Sequence, residues 1–136
     1  MGLRRKSREI ALQFFFAHDF QERSCEMAVL QAELDEFCAS FDAGRKALPF
    51  ARCLIEGICA HLEEIDSSIT KHSHNWRVER MSLVDRNILR IAVFEMRYRA
   101  DVPATVAINE ALEIAKRYAE PDSVGFINGI LDAIQK

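Results

Sequence analysis

Glycine and proline are scarce, at five and three residues in a chain of 136. With so few positions suited to turns, the chain favours long regular elements joined by short connections. Cysteine occurs four times, as Cys25, Cys38, Cys53 and Cys59, and no two form a Cys-x-x-Cys pair. Each falls within a helical pattern, so the set reads as small apolar residues of a reduced, intracellular protein rather than a disulfide framework. Long apolar runs are missing too. No stretch reaches the roughly 18 residues that suggest a membrane span. The basic start is followed by Arg8, Glu9, Gln13, His18 and Asp19, not by an unbroken apolar segment, which argues against a signal peptide. The expected location is the cytoplasm, with no membrane partner.

Catalytic signatures are equally absent. There is no Gly-rich phosphate loop, no Gly-x-Ser-x-Gly elbow and no His-Glu-x-x-His zinc motif. A di-metal helical bundle would need Glu-x-x-His pairs, and none occurs. His72 and His74 sit where a helical pattern ends and read as a polar loop. The carboxylate pairs Glu33/Glu36 and Glu63/Asp66 read as solvated helix faces. No catalytic residue, metal or cofactor is expected.

What is present is a globular composition. Hydrophobic residues make up 49% and charged residues 29%, enough for one ordinary domain spanning residues 1–136 with a real core. The net charge of −3 argues against a generic nucleic-acid binder, but its distribution does not. Arg4, Arg5, Lys6 and Arg8 put four positive charges and no acid in the first eight residues, leaving −7 for the rest. A cationic end on an anionic body attracts a polyanion at one place and repels it elsewhere.

Periodicity is helical throughout. Ile10, Phe14 and Ala17 share a face of a first helix, widened by Ala11 and Phe15. At about 100° per residue, Phe14, Phe15 and Phe16 cannot all face one core, so at least one lies near the surface. An exposed ring beside cations suits base stacking. A second helix is expected from about Glu26 to Ser40, with Met27, Leu30, Leu34, Phe37 and Phe41 inward, ended by Asp42-Ala43-Gly44. A third pattern carries Phe50, Leu54, Ile58, Leu62, Ile65 and Ile69, with a bend or division near Glu63–Asp66. Ser82 to Asp85 has the form of a capping box. Behind it, Ile88, Leu89, Ile91, Ala92 and Met96 form the apolar side of a helix ending near Arg99. Pro103 opens the next helix, through Lys116, and Glu120-Pro121-Asp122-Ser123 opens the last. Gly125 and Gly129 would admit a neighbouring backbone, and Asn109 and Asn128 are expected to be partly buried ties between helices. Trp76 and Arg80, one turn apart if that segment is helical, would form a stacked surface pair or close the core.

The last third carries a specific resemblance. Asp101-Val102-Pro103, the run Val106 to Lys116 through Asn109-Glu110, then Ser123 and Phe126-Ile127-Asn128-Gly129-Ile130-Leu131-Asp132, resembles the NusB family of bacterial transcription antitermination factors. Arg86 to Ala92 with Glu95 is similar to the family's preceding helix, and Arg5-Lys6-Ser7-Arg8-Glu9 with Ala11-Leu12-Gln13 to its arginine-rich first helix. The resemblance implies an all-α fold of about seven helices in two packed three-helix bundles. It implies a non-enzymatic role: binding boxA-type single-stranded RNA of ribosomal RNA leader transcripts together with the ribosomal protein NusE, within the RNA polymerase antitermination complex. By the same resemblance, Arg4, Arg5, Lys6, Arg8, Phe16, Asp122 and Phe126 contact RNA, and Asp85 and Glu95 face the partner. Phe16 stands where the family usually has Tyr and lacks its hydroxyl. Gly125 stands in place of a usual Lys, and Ala104-Thr105 lacks a basic residue, so the N-terminal cations carry more of the contact. The competing expectation is a helical interaction module that forms a homodimer and binds RNA weakly or not at all. NusB-like folds also precede RNA methyltransferase domains, but no cofactor-binding region precedes Lys136, so catalysis is not expected.

Overall fold

Three consecutive phenylalanines decide how the first helix sits. Helix α1 runs Leu3–Phe20, and Phe14 and Phe15 are each 1% exposed while Phe16 is 46% exposed. The Phe14 ring meets Phe15 edge-on at 5.5 Å and Phe37 at 5.2 Å. The circumference of a helix leaves the third ring no room in the same core, as expected from its period. The structure is a computed structural model that describes residues 2–41, 45–74 and 76–136. Among those residues it holds seven α-helices, two single 3-10 turns and no strand. The break expected at Asp42-Ala43-Gly44, and Asn75 at the end of the later pattern, lie outside the described residues.

The chain divides into two units, Met1–Ala60 and His61–Lys136. In the first, α1 packs on α3 (Leu48–Ala60), with α2 (Met27–Ala39) and the 3-10 turn Arg45–Ala47 completing the bundle. Ile10, Ala47, Leu48 and Ala51 form a buried cluster, with Phe37, Cys38 and Phe41 packed on it. Leu30 and Leu34 are fully buried, but Met27, placed in the same stripe by periodicity, is 53% exposed at the first residue of α2. A buried polar tie joins α1 to α2: His18 Nδ1 lies 2.8 Å from Glu33 Oε1. Burial draws the His18 pKa down, but hydrogen bonds to Cys25 and Glu33 and their charge outweigh it, so the imidazole sits above its ordinary value.

The bend or division expected near Glu63–Asp66 comes slightly earlier, at His61. Helix α3 ends at Ala60, His61 leaves helical geometry at φ −120° and ψ 21°, and α4 runs Leu62–His72. No glycine or proline marks the break. After α4, His74 adopts a left-handed φ of 54°, ending the helix as a polar turn. Trp76 lies outside any helix, Arg77 is extended, and Val78–Arg80 is a 3-10 turn.

The second unit is organised around α5 (Leu83–Tyr98), which packs against α4, α6 (Ala104–Tyr118) and α7 (Pro121–Gln135). Ser82 caps α5 by accepting from the Asp85 amide at 3.0 Å. Helix α6 starts directly after Pro103, and α7 has Pro121 in its first turn, where the missing N–H costs nothing. Two expectations fail here. A Cβ at Gly125 or Gly129 would meet nothing within 4 Å, so no backbone approaches either glycine. Asn109 and Asn128 are exposed, not buried ties.

The buried amide is instead Asn87, at 0% exposure. Its Nδ2 donates to the Leu83 carbonyl at 2.8 Å, and its Oδ1 accepts from Arg90 Nη1 at 3.1 Å. Arg90 in turn holds Asp66 of α4 with two parallel bonds of 2.8 Å each, from Nε to Oδ1 and from Nη2 to Oδ2. Asp66, read from sequence as part of a solvated face, is thus half of a fork-to-fork ion pair whose guanidinium is 7% exposed. Removing one partner of a pair this enclosed strands the other charge. Asp66→Ala should therefore lower unfolding free energy by about 3 kcal/mol in urea denaturation, and adding Arg90→Met should recover much of that loss. Additive losses in the double variant would contradict the pairing.

Candidate nucleic-acid interface

The first turn of α1 is built against the helix dipole. It has no acidic residue and no side-chain cap, yet Arg4 is exposed there and Arg5 and Lys6 are partly exposed. Cations at a helix N-terminus cost roughly 0.3–1 kcal/mol each rather than stabilising it. Their placement suits an anionic ligand better than it suits the helix. The Arg4 guanidinium lies 5.5 Å from the centre of the Phe50 ring, which holds it by a cation–π contact.

Arg8 departs from the expected role. It is 4% exposed, within the run Ser7 to Leu12 that is buried throughout, so its guanidinium has no open face for a phosphate in this conformation. Phe16 is on the surface as expected, and Phe20, which the sequence reading did not single out, is 73% exposed. Phe20 lies four residues beyond Phe16, about 40° round the helix, so the two rings share a face. That spacing, just before a polar loop, was the available signal. Arg5 and Phe16 are within about 20° of one another in projection, but roughly 16 Å apart along the axis. Glu9 and Leu12 lie between them at 4% and 5% exposure, so the cations and the rings are two patches on α1, not one stripe.

In the second unit a shallow concavity of about 300 Å³ is lined by Trp76, Arg80, Met81, Ser82, Asp85, Asp122, Ser123 and Phe126. Trp76 and Phe126 form an edge-to-face pair with centroids 6.4 Å apart, and they are 54% and 36% exposed. Asp85 does not reach back to close the capping box. Its Oδ2 accepts from Ser123 Oγ at 2.8 Å, which ties the start of α5 to the start of α7. Asp122, exposed in the first turn of α7, is favourably placed against that helix's dipole. Two carboxylates beside one arginine repel a phosphate, but can accept from a base amino group or from a basic partner. The concavity brings together Asp85, Asp122 and Phe126 of the expected set. Glu95 is not among its lining residues: it is 4% exposed on α5 and has almost no surface to offer a partner. At Gly125 the space around a Cβ is open, so packing does not forbid the larger side chain usual there.

The family profile described as "NusB family" matches residues 5–136. The chain belongs to the NusB family. A transcription antitermination protein NusB from Desulforamulus reducens is 48% identical over 128 residues, covering 94% of this chain and 86% of the relative. Among solved structures, NusB of T. maritima has a TM-score of 0.79 at 40% identity, covering 97% of this chain and 89% of that one. A further structure, of antitermination factors NusB and NusE in complex with double-stranded RNA, has a TM-score of 0.79 at 26% identity, covering 99% and 97%. No helix among the described residues is long and apolar enough to cross a membrane.

The concavity in this member of the NusB family has a direct optical reporter, because Trp76 is the one tryptophan of the chain. Phe126→Ala should shift its emission to the red. Phe126 is already 36% exposed, so the stability change should stay below about 1 kcal/mol. An unchanged spectrum would contradict the aromatic pair.

Proposed function

We propose that this chain is a transcription antitermination factor that binds boxA-type single-stranded RNA of ribosomal RNA leader transcripts together with the ribosomal protein NusE. The observation that carries the reading is α1: exposed cations set against the helix dipole, on a helix whose third phenylalanine is forced outward. Arginine and lysine neutralise phosphates, and exposed rings stack on bases that are not already stacked in a duplex. In this reading Arg4, Arg5, Lys6 and Phe16 contact RNA. Asp122 and Phe126 are separate RNA contacts in the second unit, acting through a base edge and a ring face rather than through phosphate. Asp85 faces NusE, whose basic side chains would meet a carboxylate already oriented by Ser123. Arg8 and Glu95 act from inside the fold, by holding helices that carry the contacts. The chain works as a binding protein in the cytoplasm, within the RNA polymerase antitermination complex, and not as an enzyme.

A second reading is favoured by one observation. Phe20, Met27 and Val29 leave a group of apolar side chains exposed on the first unit, at 73%, 53% and 40%. A second copy of the chain could cover them, giving a homodimer whose interface competes with RNA.

Binding of boxA-like, scrambled and duplex RNA, with and without NusE, separates the two. Three exposed cations on single-stranded RNA predict a log–log salt slope of about −2, at roughly −0.7 per neutralised phosphate. Arg5→Ala should make that slope shallower by about 0.7. Phe16→Ala should weaken binding roughly 5- to 150-fold, the loss of one stacked base at about 1–3 kcal/mol. Arg8→Ala should lower thermal stability and leave the slope unchanged. An affinity independent of salt, or a dimer that boxA-like RNA neither binds nor dissociates, would overturn the proposal.

A further inference from the structure

Away from these surfaces, the first unit gathers three metal-ligating side chains from three elements. His18 is in the last turn of α1, Cys25 is in the loop between α1 and α2, and Cys59 is in the last turn of α3. One donor atom from each lies within 4.8 Å of the other two. Cys25 Sγ is 3.7 Å from His18 Nε2, and its thiol donates to Cys59 Sγ at 2.7 Å. The cysteines are 34 residues apart in the chain, which is why their spacing carries no metal signature.

The histidine is set for the task by contacts that a packing role does not require. It is 2% exposed, and its ring is stacked on Phe14 at 5.4 Å and edge-on to Phe15 at 5.9 Å. Its Nδ1 faces Glu33 Oε1 at 2.8 Å. With the proton on Nδ1 donated to that carboxylate, the neutral ring presents its Nε2 lone pair to the two sulfurs. A carboxylate behind the imidazole is the outer partner that orients metal-bound histidines.

We propose that His18 Nε2, Cys25 Sγ and Cys59 Sγ bind one zinc-like divalent cation, with Glu33 as the outer partner of His18. Zn–N bonds of 2.0–2.1 Å and Zn–S bonds of 2.3 Å place tetrahedral N and S ligands about 3.6 Å apart. The 3.7 Å between Nε2 and Cys25 Sγ matches that edge. Two thiolates on one ion stand about 3.8 Å apart, so the sulfurs must separate by about 1 Å as the proton between them leaves. Both thiols release their protons to solvent, a charged imidazole gives up its Nε2 proton as well, and no electrons move. Both cysteines are partly exposed, which leaves a fourth position for water. Two thiolates and an imidazole select zinc or a softer ion over magnesium and calcium, which take oxygen ligands. A Cys25–Cys59 disulfide is the competing chemistry, and it would make no use of the oriented Nε2. The ion would pin the loop after α1 to the end of the helix that carries Phe16 and Phe20.

The test uses the full chain, reduced and stripped with a chelator, then titrated with Co²⁺ and Zn²⁺. Binding is expected to reach one ion per chain. Co²⁺ should give a thiolate-to-cobalt charge-transfer band and the strong visible bands of a tetrahedral site, both displaced by Zn²⁺. Zn²⁺ should protect two of the four cysteines from a thiol reagent. Cys25→Ser and Cys59→Ser should abolish the charge-transfer band or cut affinity more than 100-fold, with Cys38→Ser and Cys53→Ser unchanged. Glu33→Gln should weaken binding roughly 10- to 100-fold. The wild-type titration and thiol protection decide the matter even if a variant fails to fold. No tetrahedral band in the reduced wild-type chain, or full binding by Cys59→Ser, would overturn the proposal. So would a Cys25–Cys59 disulfide on air oxidation in a chain that takes up no metal when reduced.

Discussion

The burial of Phe14 and Phe15 is the constraint on which the first unit turns. Two adjacent aromatic rings at 1% exposure fix both the depth and the rotation of α1 against its neighbours. Once they are seated, about 200° separates Phe16 from Phe14, and Phe16 has nowhere to go but the surface. Ser7 to Leu12, Arg8 included, span more than a full turn and are all buried, so this stretch is covered on every side, while Arg4, Arg5 and Lys6 stay at the open end. One helix therefore does two jobs. Its middle supplies the core, and its ends present cations and rings. A change that loosens the buried pair would degrade both at once, because the seating of the helix sets where its surface groups stand.

The second unit solves the same problem with polar chemistry. Helix α5 is buried over Asn87 to Glu95, so its polar residues in that stretch must find partners inside. Asn87 and Arg90 do so by binding each other, the Leu83 carbonyl and Asp66. Hydrogen bonds of this kind are directional, so they fix register as well as proximity. At the start of the helix, Ser82 and Asp85 bond in two directions, to the backbone and to Ser123 of α7. The concavity with Trp76, Asp122 and Phe126 is the surface left by those ties. Its acidity makes it chemically unlike the cationic end of α1, and the two surfaces suit different groups on their ligands.

Much of this was legible in the chain. Helical periodicity places the helices, apart from their ends and the division of α3 from α4 at His61, and the Phe14–Phe16 run by itself forces a ring to the surface. The family resemblance in residues 101–132 carried the functional reading. What escaped was what periodicity cannot carry. Arg8 belongs to a basic run by sequence, and it is buried because its neighbours cover α1 on all sides there, which no local pattern encodes. The break at His61 lacks a glycine or proline. Asn109 and Asn128 stand among apolar neighbours and yet face solvent, whereas Asn87, between Arg86 and Ile88, is the amide that is buried. The gathering of His18, Cys25 and Cys59 comes from the packing of α1 on α3, and no local spacing encodes it.

The central claim is that α1 is split between core and RNA by the rotation its buried rings impose. Fluorine NMR of the chain labelled with fluorophenylalanine reads that split directly, with ring resonances assigned by substitution. On adding boxA-like RNA to saturation, the Phe16 resonance should move while those of Phe14 and Phe15 stay in place. A Phe16 resonance that does not move in the saturated complex, or one that moves only together with Phe14 and Phe15, would contradict the account.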